Sequence, residues 1–128
     1  MHRAEIDQEN NRLVLRWIDS LNVSEIDRFQ TEIAALLPQL RPDFDCISDI
    51  SNMRPSSRHV AEQIEKLQEF LHHAGMRRVV RIVGKGGGAH IASEQMDRTA
   101  AEAGYTTVHV DSEQEALSVL DLNQAHAT

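Results

Sequence analysis

The sequence predicts an α/β fold: a mixed, mostly parallel five-stranded sheet with about four helices, in the order β-β-α-β-α-β-α-β-α. Three observations carry this reading. Gln8-Glu9-Asn10-Asn11 separates two short strand-like stretches, and Asn tolerates the positive φ that a tight hairpin turn demands. Beyond that hairpin, short β-branched runs alternate with helical stripes, which implies parallel strands joined by right-handed crossovers. Val60, Ile64, Leu67, Leu71 and Ala74 recur at steps of four, three, four and three, the spacing of one helix face, so Leu67 is expected to be fully buried.

The elements follow in order. His2 to Asp7 alternates weakly and reads as an edge strand. Leu13, Val14, Leu15, Trp17 and Ile18 form a stronger one, with Trp17 expected in the core. Asn22 or Ser24 caps the next helix, whose apolar face is Ile26, Phe29, Ile33, Leu36, Leu37 and Leu40; Pro38 ends or kinks it. Residues 44–50 read as the third strand and 51–57 as a loop containing Pro55. After the helix marked by the stripe, Gly75 stands where a left-handed terminating residue belongs. Residues 79–83 form the fourth strand, 84–88 a glycine loop, 89–103 a small-residue helix stopped by Gly104, and 105–110 the fifth strand. Ser112 and Glu115 make the S-x-x-E capping box of a final short helix. One domain over residues 1–122 is expected, with 123–128 as a frayed tail.

Composition narrows the function classes. Thirteen Lys and Arg stand against 20 Asp and Glu, a formal charge of −7, which disfavours non-specific binding to nucleic acid or anionic membrane. Cys46 is the only cysteine, so neither an internal disulfide nor a thiolate metal cluster can form. The first residues are charged throughout and no stretch approaches the ~20 apolar residues of a membrane span, so a cytoplasmic location is expected.

The segment Asp49-Ile50-Ser51-Asn52-Met53-Arg54-Pro55-Ser56-Ser57 and the closing Asp111-Ser112-Glu113-Gln114-Glu115-Ala116, taken with the element order, resemble the STAS domain of sulfate transporters and anti-sigma-factor antagonists. Its members show D-[LV]-S-x-[VM] at a strand end, then a D-S-[ST]-G-like stretch opening a helix. The related STAS/SEC14-type lipid-binding domains are the second resemblance. Pro55 stands where the family has the Asp before its serine pair, and Arg58 where it has Gly. The resemblance implies a non-enzymatic regulatory module that binds a protein partner and is switched by phosphorylation at Ser56 or Ser57.

Other motifs are weighed on their chemistry. Gly84-Lys85-Gly86-Gly87-Gly88 would let main-chain amides approach an anion at the next helix start. It is no Walker loop, because Gly86 stands where Ser or Thr must follow Lys85 and Val79 takes the first glycine's place. A dinucleotide fingerprint fails as well, since Asp111 falls just outside the following strand. His72 and His73 are adjacent on a helix and point about 100° apart, and His59 with His90 lacks neighbouring carboxylates, so no metal is expected. Ser56, His59 and Asp49 could be drawn as a triad, but no nucleophile elbow accompanies them. Cys46 reads as a small buried hydrophobe. Arg77, Arg78 and Arg81, with Arg54 and Arg58, form a basic cluster without stacking aromatics, expected to meet acidic side chains of the same or another subunit.

No catalytic residue, cofactor or metal is therefore expected. The candidate binding residues are Arg54, Ser56, Ser57, Arg58, Lys85, Gly86 and Gly87, on loops that follow strands, where ligands gather in open α/β sheets. Their expected occupant is a protein partner or a second copy. The alternative is a small anionic or lipidic ligand that the domain senses or carries. Ser56 or Ser57 is also expected to cap the helix starting near Arg58.

Overall fold

A computed structural model describes residues 2–19, 22–54, 57–84 and 106–126. Strand β1 (His2–Asp7) turns through Asn10 and Asn11 into β2 (Arg12–Asp19), and Asn11 takes the left-handed conformation (φ 55°) that only Asn, Asp or Gly adopts readily. Its side-chain amide also pairs with the backbone of Arg41 in both directions, tying the hairpin to the loop ahead of the third strand. Helix α1 (Val23–Leu36) is capped by Asn22, whose Oδ1 accepts from the Glu25 amide at 2.8 Å. Pro38 tightens the helix end into one 3₁₀ turn (Leu37–Gln39). Then follow β3 (Phe44–Met53), α2 (Arg58–His73), β4 (Met76–Ile82), β5 (Thr106–Val110) and α3 (Glu113–His126).

The sheet order is β1-β2-β3-β4-β5, with β1 antiparallel to β2 and every other pairing parallel. Among the described residues there are three α-helices; the helix expected over 89–103 lies outside them, as does Tyr105. Several boundaries differ from expectation. β3 runs on to Met53, because β2 pairs again with Asn52 and Met53 beyond a bulge. β4 begins at Met76, because β3 supplies partners for Met76 and Arg78. At the C-terminus, α3 continues through His126 where a tail from residue 123 was expected, with neither Gly nor Pro there to stop it.

Helices α1 and α2 and helix α3 pack against separate clusters on the sheet. Leu13, Leu15, Trp17, Cys46, Ile50, Val79 and Val83 meet Ile26, Phe29, Ile33, Val60, Ile64, Leu67 and Leu71, and Leu67 is fully buried. Ile47, Val80, Ile82 and Val110 meet Ala116 and Leu120 of α3. Trp17 packs edge-on to Phe29 and donates its indole N–H to the Ser48 hydroxyl at 2.9 Å, so its polar end is satisfied inside the core. Burial pushes the Cys46 thiol up to about 12, against the nearby charge of Arg81.

Arginines of β2 clip α3 to its side of the sheet. Arg16 pairs with Glu113 at 3.0 Å and Arg12 with Asp121 at 2.8 Å. Eight residues of helix rise about 12 Å and four of strand about 13 Å, so the two spacings match. Helix α3 therefore runs antiparallel to β2.

Candidate functional site

The carboxyl ends of β2, β3 and β4 lie side by side, which is where the candidate residues were expected. The bulge that lengthens β3 sits there: Arg16 faces Asp49 but Ile18 faces Asn52, so Ile50 and Ser51 together oppose Trp17. Asp49 holds this irregular turn. Its Oδ1 accepts from the Ser51 amide at 3.0 Å and from the Ser51 hydroxyl at 2.6 Å. Its Oδ2 lies 3.5 Å from Arg16, whose other terminal nitrogen reaches Glu113. The hydrogen bond to Glu113, helped by the charges of Asp49 and Glu5, raises Arg16 above its ordinary value although partial burial opposes this. Three elements distant in sequence thus share one ion-paired cluster.

Gly84 packs onto the same turn. Its φ is +69°, and a Cβ there would come within 2.9 Å of the Ser51 side chain. Glycine is needed at this position for both reasons, and the start of the glycine run therefore rests beside Ser51. Lys85, Gly86 and Gly87, the ligand-binding residues expected in that run, lie outside the described residues, as do Pro55 and Ser56.

The expected cap is present at Ser57. It is exposed, extended in backbone, and its hydroxyl accepts from the Val60 amide at 3.3 Å. The first turn of α2 has no acidic residue, so its free amides and positive dipole end are balanced by no carboxylate of the helix itself. Arg54 and Arg58 are both exposed, and Arg58 pairs with Glu62 one turn along at 3.5 Å. In helix α3 the capping box is modified: Ser112 accepts from the Glu115 amide, but the Glu115 carboxylate reaches back to the amide of Asp111.

The basic cluster divides. Arg81 is fully buried, with one terminal nitrogen 3.3 Å from His109 Nε2, and Arg78 is 9% exposed. A second bulge explains the pairing at the other end of the sheet. Phe44 faces Met76 but Asp45 faces Arg78, leaving Arg77 as the extra residue. Successive strand residues ordinarily point to opposite faces, yet the bulge lets both Arg77 and Arg78 reach the buried Asp45, each at 3.2 Å. The expected contact with acidic side chains is thus made within the chain, far from the strand carboxyl ends.

The remaining candidates do not assemble. Asp49 is committed to Ser51 and Arg16, and His59 is exposed in the first turn of α2. Among the described residues no three His, Cys, Asp or Glu side chains gather as a metal site, and no helix is long and apolar enough to cross a membrane. A small cavity between α2 and the sheet, bordered by Trp17, Ser48, Gln68 and Met76 among others, is about 10 Å³, roughly room for one water. Arg16, Ser51, Gly84 and Glu113 were not among the expected site residues. The Asp49-x-Ser51 spacing was a signal for Ser51; nothing local links Arg16 to Glu113, 97 residues away.

The antiparallel edge hairpin, the parallel strands and the helix opening beside the bulged strand end define an α/β module of the SpoIIAA-like, or STAS-like, fold. Solved structures of that fold match along nearly the whole chain. An uncharacterized protein of the DUF3478 family with a SpoIIAA-like fold, from Shewanella loihica PV-4, gives a TM-score of 0.69 at 19% identity, covering 94% of this chain and 92% of that one. The anti-sigma factor antagonist SpoIIAA in its unphosphorylated form gives 0.62 at 10% identity, covering 94% and 98%. An anti-sigma factor antagonist from Mycobacterium paratuberculosis gives 0.57 at 11% identity, covering 94% and 95%. At these identities the likeness is one of fold. No protein-family model and no curated protein matches the sequence.

Proposed function

We propose that this chain is a non-enzymatic regulatory module that binds a protein partner through the strand carboxyl ends and the start of α2, and that charge placed at Ser56 or Ser57 switches the binding. The observation that carries the reading is the exposed Ser57 hydroxyl capping a helix whose first turn has no carboxylate. A phosphate there would meet free amides, the positive end of the helix dipole and the neighbouring Arg58. The hydroxyl is thus compatible with two states, a neutral cap and a charged one. Two of the structural neighbours are named as anti-sigma factor antagonists, which supports a protein partner over a small substrate. The polar groups nearest the site support the same reading, since Asp49, Ser51, Arg16 and Glu113 hold one another in a structural network.

The test is affinity capture from a lysate of the native host with wild type, Ser56→Asp and Ser57→Asp. Proteins retained by one charge state and lost by the other are expected. An identical set of captured proteins for all three would overturn the switch.

A second reading is a small anionic ligand over the same helix end, favoured by Arg54 and Arg58 flanking it. Native mass spectrometry of the purified chain separates the two, because a co-purified small molecule belongs only to this one.

A further inference from the structure

Among the described residues, strand β1 is an edge of the sheet, paired with β2 on one side only. An open edge offers a row of main-chain donors and acceptors to another strand. We infer that two copies of this chain pair antiparallel through β1, in a single register centred on Ala4, to form one continuous sheet across a two-fold axis. This surface is separate from the start of α2, and the inference does not rest on the regulatory reading.

The strand alternates. Arg3, Glu5 and Asp7 lie on one face; His2, Ala4 and Ile6 lie on the other, where Ala4 and Ile6 pack against the core. The His2 ring stacks on Phe29 at 4.4 Å and its Nε2 stands 3.4 Å from Glu32, so α1 steadies the start of the edge strand. Arg3 and Glu5 are ion-paired with each other, Arg3 exposed and Glu5 half-buried, with 70% and 41% of their side-chain surfaces accessible.

When two such strands pair about a two-fold axis perpendicular to the sheet, the axis passes through one residue, and only four central choices give useful overlap. Centred on Arg3, that arginine faces the partner's Arg3. Centred on Glu5, that glutamate faces the partner's Glu5. Centred on Ile6, Glu5 faces the partner's Asp7. Centred on Ala4, Arg3 faces the partner's Glu5 and Glu5 faces the partner's Arg3. Only this last register has no like charges directly opposed, and it closes a ring of four alternating charges on one face. On the other face the small Ala4 sits at the axis and His2 faces the partner's Ile6. The opposite edge among the described residues, β5, contains no Lys, Arg, Asp or Glu, so no charge pattern there selects a register.

The charge pattern makes the test specific. Self-association of the full chain is measured by analytical ultracentrifugation from micromolar to millimolar concentration for wild type, Arg3→Glu, Glu5→Arg and the double swap. Each single reversal turns two symmetry-related attractions into repulsions and should weaken the dimer about tenfold or more. The double swap restores both pairs and should recover the wild-type constant within about threefold. Circular dichroism of each variant checks that the monomer is folded. A monomeric wild type at every concentration overturns the inference and leaves the charged strand as a guard against edge pairing. A dimer that ignores the single reversals, or a double swap no better than either, overturns the register and with it the inference.

Discussion

Ser57 offers the sharpest energetic test, because one hydroxyl is assigned both a structural and a regulatory part. Ser57→Ala removes the acceptor of the Val60 amide. A cap of this kind contributes about 0.5–2 kcal/mol, and a 3.3 Å contact, at the long end of the range, points to about 1 kcal/mol. For a chain of 128 residues that corresponds to roughly 3–5 °C in Tm. Ser57→Asp keeps an acceptor at the same place. Because the first turn of α2 has no carboxylate and begins with Arg58, the introduced charge is favoured by the positive end of the helix dipole, worth about 0.3–1 kcal/mol. The expected order of stability in urea melts followed by circular dichroism is therefore Asp at least equal to Ser, and both above Ala. Ser57→Ala indistinguishable from wild type, or Ser57→Asp below Ser57→Ala, would refute the capping account. The order also matters for function: if the aspartate variant is fully stable, a change in its partner binding reports charge and not unfolding.

The other predictions address the frame that holds this helix end. Leu67→Ala should cost about 2–5 kcal/mol by lost transfer energy and a cavity, and a loss under about 1 kcal/mol in denaturant melts would contradict its burial against the sheet. Asp45→Asn should cost about 3–5 kcal/mol, because Arg78, 11% exposed in its side chain, loses its carboxylate; Arg77→Ala, at an arginine 53% exposed, should cost under about 1 kcal/mol, and equal losses in urea melts would refute the bulge-based pairing. Cys46 should resist alkylation near pH 8 in the native state, since burial favours its neutral thiol and holds it at about 12, and should react only as pH climbs toward that value or as denaturant unfolds the chain. Prompt labelling without denaturant would place the thiol at the surface.

Much of the fold was legible because its signals are local. Asn10-Asn11 marked the hairpin, the stripe through Leu67 marked α2, and Gly75, found at φ 115°, marked its end. What escaped was set by partners far along the chain. Ser51, Asn52 and Met53 are mostly polar and read as loop, yet the strand runs through them because β2 returns to pair with Asn52 and Met53 after the bulge. Arg77 and Arg78 were expected to meet acidic side chains, but which one was not legible, because Asp45 lies 32 and 33 residues away and the bulge alone lets both reach it. Of the candidate site, Ser57 was legible as a cap, since a serine before a helical stripe is a short-range signal. Arg16, Glu113 and Gly84 were not, because their positions depend on which strand ends the topology brings together.

The most direct measurement is phosphosite mapping of the protein isolated from its own cells, under conditions where its partner is free and where it is bound. The account predicts a phosphate on Ser56 or Ser57 in one of these states and not in the other. A chain that carries no phosphate at either serine in both states would contradict it and leave Ser57 with the capping role alone.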